Sequence, residues 1–431
     1  MNILMMTNTY LPHVGGVARS VDSFAQMYRA RGHRVMVVAP EFDDAPRDET
    51  DVVRIPALQN FNGSDFSVVL PVPRFLERAV MRFEPDIVHS HHPFLIGSTA
   101  LRLASLFDLP LVFTHHTMYE RYTHYVPGDS AVLRRFVVQL STSYANLCDR
   151  VFAPSESIAG ILAARGVHTP IDVVPTGVDL AAFRGGDGAS FRRRLGIDAD
   201  AFVIGHVGRL AHEKNLGFLA RAVARVLADA PHAHCVIVGA GAAEDDIRSA
   251  CERAGVAARL HMTGKLVQPE LADAYAAMDL FAFASLTETQ GVVLAEAMAA
   301  GLPVVAIDAP GSREVVRDGE NGRLLRDPDE TAFAAAIEDA MARREAGWDD
   351  WQAAVAETAR AYSLQACADR ALALYRDLDG TEGQADEDHD LWHMSLRRIR
   401  AEWDLLKGVA QAAGTSLGDE FRNRRDQRDT G

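Results

Sequence analysis

Short apolar runs alternate with helically spaced segments along most of the chain, a pattern that predicts βαβ units and parallel sheets. Asn2–Thr7 reads as a first strand, a loop carrying Gly15-Gly16 follows, and Ala18–Arg31 has helical spacing. Gly32 stands where a helix C′ residue belongs, and His33–Ala39 supplies the next strand. Further strands are predicted at Ile87–Ser90, Leu111–Thr114, Val151–Ala153 and Ile171–Val174. A second series runs through Phe202–Val207, Cys235–Val238, Leu260–Met262, Leu280–Ala284 and Val304–Ile307. A helix ending in Ala371–Leu378 is expected to close that second series.

Between the two series lies Gly185-Gly186-Asp187-Gly188, a polar stretch that suits the edge of a linker and places the boundary near residues 176–195. The expected organisation is one Rossmann-like α/β domain over residues 1–180 and another over 196–365, with a closing helix over 366–380. Residues 381–431 then form a spacer and an amphipathic helical tail. In the tail, Trp392, Leu396, Ile399, Trp403, Leu406 and Ala410 recur by four and three, with Arg397, Arg398 and Arg400 flanking the seam. Such a seam packs on the body, pairs with another copy or lies on lipid; core-spaced tryptophans rank packing or a homo-oligomer first.

A length of 431 residues suits two domains and an appendage. The formal net charge of −15 argues against a nucleic-acid partner. That charge is unevenly spread: residues 1–170 hold 15 basic and 16 acidic groups, and the remainder holds 29 and 43. The first half alone is therefore able to approach an anionic surface. Arg74, Arg78 and Arg82 recur every four residues on an expected helix, with Leu76, Val80 and Phe83 along another side, and Arg134-Arg135-Phe136 adds a second basic spot. A solvated helix face is the plainer explanation of both. Cys148, Cys235, Cys251 and Cys367 are scattered and form no CxxC pair, which favours a reducing cytoplasm over a disulfide framework. The start of the chain reads as a strand, and no apolar run reaches the ~18 residues of a membrane span.

Candidate chemistry gathers at loops after strands, where ligands of open parallel sheets bind. Gly15-Gly16 precedes the first helix, so uncovered N–H groups there suit a phosphate, although a plain tight turn explains the pair equally well. Gly239-Ala-Gly241 is an equally weak signal, and neither completes a dinucleotide fingerprint. Arg209 and Lys214, in Gly208-Arg-Leu-Ala-His-Glu-Lys-Asn215, are suited to neutralising a diphosphate leaving group. Lysine is scarce, being found only at Lys214, Lys265 and Lys407, which gives its presence in this loop weight. The strongest segment is Glu288-Thr-Gln290-Gly291, followed by a helix that carries Glu296 in an apolar setting. Its two carboxylates suit sugar hydroxyls, with the N–H groups of Gln290 and Gly291 between them. His89, His91, His92, His115 and His116 invite a metal reading, but no acidic residue completes a ligand set.

Glu-x7-Glu after a strand, Gly-Arg-Leu-x-x-Glu-Lys-Asn upstream and Gly-Gly near the N-terminus together resemble glycosyltransferase family 4, over about residues 1–378. The resemblance implies a GT-B fold, with two facing Rossmann-like domains, an N-terminal acceptor domain and a C-terminal donor-binding domain. It implies retaining transfer from a nucleotide sugar without a metal or other cofactor. It further implies that Arg209 and Lys214 hold the diphosphate, Glu296 the ribose, and Glu288 the donor sugar. Thr114-His-His116-Thr-Met-Tyr-Glu120 with Tyr122-Thr-His-Tyr125 is similar to the branch that glucosylates diacylglycerol or related lipids. That similarity maps the active-site histidine to His116, while Tyr119, Glu120 and the following tyrosines are as well explained as structural.

The expected function is thus transfer of a hexose, with glucose from UDP-glucose as first candidate, to a lipid or other hydroxyl acceptor. The expected setting is cytoplasmic, with a candidate peripheral contact on the inner, anionic face of the membrane. A nucleotide-sugar epimerase or hydrolase of the same fold, and a non-catalytic nucleotide-binding scaffold, are the alternatives.

Overall fold

The computed structural model describes residues 1–379 except 13–14, 43, 47–48, 59–67, 70–73, 122–129 and 348. The chain divides into two compact units: Met1–Val174 together with the chain from Ala368, and Pro175–Cys367. The apolar seam expected in the tail, the acidic spacer before it, and Tyr122 and Tyr125 lie outside the described residues.

The first unit contains β1 (Asn2–Met6), β2 (Arg34–Pro40), β3 (Val52–Ile55), β4 (Ala57–Leu58), β5 (Val68–Val69), β6 (Ile87–Ser90), β7 (Leu111–Thr114), β8 (Arg150–Ala153) and β9 (Ile171–Val173). Seven of these form one parallel sheet in the order β3-β2-β1-β6-β7-β8-β9, while β4 and β5 make a separate antiparallel pair. β1 is an interior strand, with Ile3 registered against Val35 on one side and Ile87 on the other. Its run Ile3-Leu-Met-Met6 is fully buried, as expected of a parallel strand covered on both faces. Strand order reverses at β1, so the carboxyl ends of β1 and β6 flank a topological switch point. Thr7 and Asn8 follow β1, His91 and His92 follow β6, and His115 and His116 follow β7.

The helix Gly16–Ala30 returns to β2 through Gly32, whose φ of +83° is the left-handed turn that ends the helix. In the helix Arg74–Phe83, Leu76, Val80 and Phe83 face the core. The apolar side of this helix is therefore its buried side. Phe75 and Met81 are the helix's exposed apolar residues, beside exposed Arg78 and Arg82.

The second unit contains β10 (Phe202–Val207), β11 (Ala233–Val238), β12 (Leu260–Gly264), β13 (Leu280–Phe283), β14 (Val304–Ile307) and β15 (Gly322–Leu325), ordered β12-β11-β10-β13-β14-β15 and parallel throughout. Alternate residues serve opposite faces. Phe202 and Ile204 pack with Leu219, Val223 and Phe333, whereas Val203 and Val207 pack with Tyr275, Phe281 and Leu294.

Two expectations need correction. Gly186 and Gly188 are packed against the second unit, so Gly185–Gly188 is not a loose linker edge. A Cβ on Gly186 would lie 2.4 Å from the Ala272 carbonyl oxygen, and one on Gly188 would lie 2.2 Å from that of Ala276. The helix Leu364–Asp379 does not close the second sheet. From Ala368 onward it belongs to the first unit, where Tyr375 stacks on Phe152 and Arg370 donates to the Val173 carbonyl at 2.9 Å. Its apolar face matches the first core, a choice that periodicity does not reveal. No helix among the described residues is long and apolar enough to cross a membrane.

Candidate active site

In the second unit, β13 runs into a loop that ends at Gly291, the N-cap of the helix Val292–Ala299. Gly291 has a φ of +69°, and a Cβ there would lie 2.5 Å from the Gly311 carbonyl oxygen. Gly311, also left-handed, passes so close to the loop that its own Cβ would lie 2.6 Å from the Glu288 Cβ. Two glycines thus let a second loop brace the segment that carries Glu288.

Glu288 accepts a hydrogen bond from Lys214 Nζ at 2.5 Å, with both side chains about four-fifths buried (19% and 21% exposed). Lys214 reaches it from the loop after β10, which is tied down by Asn215 Nδ2 donating to the Ala284 carbonyl. Glu296, the fifth residue of its helix, accepts from the buried Tyr275 hydroxyl at 2.8 Å. Arg209 lies in the same loop as Lys214. It is half exposed and pairs with Glu213 at 2.6 Å.

Gln290 acts here through its side chain as well as its backbone. Its Oε1 accepts from the Thr176 amide at 2.8 Å, and its buried Nε2 has no partner among the described residues. Gly239 and Gly241 are needed by packing: a Cβ on either would lie 1.8 or 2.3 Å from the carbonyl oxygens of Gly208 and Leu210. His206 escaped the sequence reading. It is buried under the same loop, its Nδ1 donates to the Ala282 carbonyl at 3.0 Å, and burial lowers its pKa to about 4. An ammonium group, two carboxylates and a helix N-terminus therefore share one end of this sheet, a set able to meet phosphate and hydroxyl groups together.

In the first unit, Gly15 is the extended N-cap of the helix Gly16–Ala30 and no side chain caps it. Among the described residues nothing lies within 4 Å of a Cβ built on Gly16, and its φ is not left-handed, so neither space nor backbone demands glycine there. The neighbouring His13 and Val14 lie outside the described residues.

His116 is partly exposed, and its Nε2 lies 2.9 Å from Nδ1 of the buried His91. Desolvation holds His116 at a pKa of about 4 and His91 well below the usual imidazole value. The His91 ring packs 4.2 Å from that of His89, whose Nε2 meets Thr114 Oγ1 at 2.7 Å and whose Nδ1 meets the Tyr375 hydroxyl at 2.5 Å. His92 receives the Asn8 amide at 3.1 Å. His89, His91 and His92 are thus held by neutral hydrogen bonds and stacking. Among the described residues, no group of three His, Cys, Asp or Glu is placed to hold a metal ion. Glu120 pairs with Arg165 at 2.6 Å and Tyr119 packs edge-on to Phe94 and His115, so both serve the fold here.

Two Rossmann-like units with their loop chemistry at the strand ends are the architecture of GT-B glycosyltransferases, and the comparisons agree. Residues 14–182 match the sequence model of Glycosyltransferase Family 4, and residues 201–343 match that of Glycosyl transferases group 1. A GDP-mannose-dependent alpha-mannosyltransferase of Mycobacterium tuberculosis is 32% identical over 335 residues, covering 75% of this chain and 83% of the relative. The alpha-monoglucosyldiacylglycerol synthase of Streptococcus pneumoniae is 28% identical over 337 residues, covering 75% of each chain. Among solved structures, Anabaena HepE in complex with UDP superposes with a TM-score of 0.68 at 21% identity, covering 88% of this chain and 100% of that one. The chain belongs to glycosyltransferase family 4 and is a hexosyltransferase.

Proposed function

We propose that the protein transfers glucose from UDP-glucose to the hydroxyl of a diacylglycerol-like lipid, with retention at the anomeric carbon. The observation that carries the donor half is the Lys214–Glu288 pair beside the Gly291 helix N-terminus. In this reading Lys214, Arg209 and the Gln290 and Gly291 amides stabilise the charge that develops on the departing diphosphate. Glu296 takes the ribose hydroxyls and Glu288 positions the sugar, so the second unit binds the donor. The first unit receives the acceptor. There, Gly15 and Gly16 present backbone amides to a donor phosphate oxygen, and His116 hydrogen-bonds the reacting sugar.

The relatives include alpha-monoglucosyldiacylglycerol synthases, GDP-mannose-dependent alpha-mannosyltransferases and D-inositol 3-phosphate glycosyltransferases, so the choice of glucose leans on Thr114-His-His-Thr-Met-Tyr-Glu120, which is similar to the lipid-glucosylating branch. The test is a panel of UDP-, GDP- and ADP-sugars, assayed for nucleotide release with and without diacylglycerol. Release from UDP-glucose that requires the lipid, with an α-anomeric product by proton NMR, is expected. Release from GDP-mannose alone in the panel would overturn the donor assignment, and turnover without acceptor would favour an epimerase or hydrolase.

A membrane contact follows from the same reading. Phe75 (45% exposed) and Met81 (60% exposed) stand beside exposed Arg78 and Arg82, apolar anchors with cations for anionic headgroups. Co-sedimentation with phosphatidylglycerol vesicles is expected to fall when Arg78 and Arg82 are changed to Ser. Unchanged binding would remove this face from the proposal.

A further inference from the structure

A neutral imidazole carries one proton, and which nitrogen holds it decides whether the other donates or accepts. His91 and His116 meet through Nδ1 and Nε2 at 2.9 Å, so one proton lies in that contact and each ring keeps a single N–H. Burial keeps both rings neutral near pH 7.

Only two arrangements exist. If His116 donates from Nε2, then His91 must carry its own proton on Nε2. That atom is fully buried and has no partner among the described residues. The result is an orphaned buried donor, a rare defect in which the N–H loses its hydration without gaining a partner. If His91 donates from Nδ1, its buried Nε2 is a bare lone pair. The same chain accepts that second state at His206, where a carbonyl oxygen can only accept, so Nδ1 holds the proton and the buried Nε2 is bare.

We infer that His91 is a positioning residue that fixes the tautomer of His116, so that His116 carries its proton on Nδ1 and offers its substrate a hydrogen-bond donor. The His89 ring, packed 4.2 Å away and held by Thr114 and Tyr375, keeps the His91 ring in the orientation this requires. His116 then does not act as a general base through Nδ1, the ring nitrogen left to meet a ligand. It stabilises a substrate oxygen with an N–H. This rests on the reading of His116 as a group that touches the reacting sugar, and the test separates the two.

Long-range proton–nitrogen correlation spectra of histidine-labelled protein read the tautomer directly. The expected signature is a pyrrole-like Nδ1 and a pyridine-like Nε2 on His116; the reverse pattern overturns the inference. His91→Asn keeps an amide N–H on Cγ, the carbon that bears Nδ1, and is expected to preserve both the signature and turnover. His91→Leu is expected to lose the signature and to lower kcat by roughly tenfold, with KM for UDP-glucose within about twofold. Wild-type tautomer and kcat in His91→Leu would overturn the inference. If His116→Ala retains full turnover while the tautomer is as expected, the site reading fails and the tautomer assignment stands. Circular dichroism of both His91 variants excludes unfolding as the cause.

Discussion

Lys214 and Glu288, seventy-four residues apart in sequence, close a 2.5 Å ion pair across two loops that follow adjacent strands. β10 and β13 are neighbours because the strand order reverses between them, so the loops after them converge. Without a donor, each group neutralises the other. In the proposed function, a bound nucleotide sugar offers the ammonium a phosphate and the carboxylate a hydroxyl.

Glu288→Gln therefore removes a charge that matters more in the loaded site than in the fold. Four-fifths buried, the pair is expected to contribute about 1–2 kcal/mol to stability, somewhat above an exposed pair. Loss of one group directed at the reacting sugar costs about 10²- to 10³-fold in kcat. Transfer assays and thermal melts of the same preparation are expected to show that contrast. Full transfer with the Gln variant would sink the site.

Tyr275→Phe tests the support beneath Glu296. The ring sits edge-on to Phe183 and stacked on Phe281, contacts the Phe variant keeps, so only the 2.8 Å hydrogen bond is lost. Stability is expected to fall by about 1 kcal/mol. With the Tyr275 support removed from Glu296, KM for the nucleotide sugar is expected to rise several-fold with little change in kcat. An unchanged KM would show that Tyr275 serves packing alone.

The interior strands and the loop motifs were legible in the sequence, and the partners of the motif residues were not. Strands buried on both faces, such as Ile3–Met6 and Val304–Ile307, announce themselves as unbroken apolar runs. The edge strands β3 and β15 were missed; each is four residues long and has an arginine interrupting its apolar run. Arg54 is held by Glu49 at 2.6 Å, and Arg323 by Asp318 and Asp339 at 3.0 and 3.1 Å. Glu296 stood out by its apolar neighbours, but Tyr275 lies in a helix whose spacing marks it only as core. Likewise Tyr375 reads as one apolar position among several, and only the path of its helix onto the first sheet brings its hydroxyl to His89.

Gly16 and Gly291 make opposite demands, which separates a glycine kept for ligand from one kept for fold. Gly16→Ala meets nothing within 4 Å among the described residues and opens a helix, so melting temperature is expected to hold or rise, by up to about 1 kcal/mol in stability. If a phosphate oxygen approaches this backbone, kcat/KM falls all the same. Gly291→Ala forces a left-handed residue against a carbonyl at 2.5 Å and is expected to cost about 1–3 kcal/mol. Equal melts for the two variants would contradict this division.

His206 gives the stability of the second unit a defined pH dependence. Burial lowers its pKa from 6.5 to about 4 in the folded chain. Between those values the unfolded chain binds a proton that the native one refuses, so stability is complete above pH 6.5 and falls as pH drops towards 4. The slope from this one group approaches about 1.4 kcal/mol per pH unit within that window. His89, His92 and His115, each buried with a pKa of about 3, add the same sign for the first unit. His206→Asn retains an amide N–H on Cγ to donate to the Ala282 carbonyl and removes the titrating ring. Denaturant unfolding of the second unit at pH 7 and pH 5 is expected to show a smaller acid penalty in the variant than in the wild type. An identical penalty would mean that the ring is protonated, or freely hydrated, in the native state.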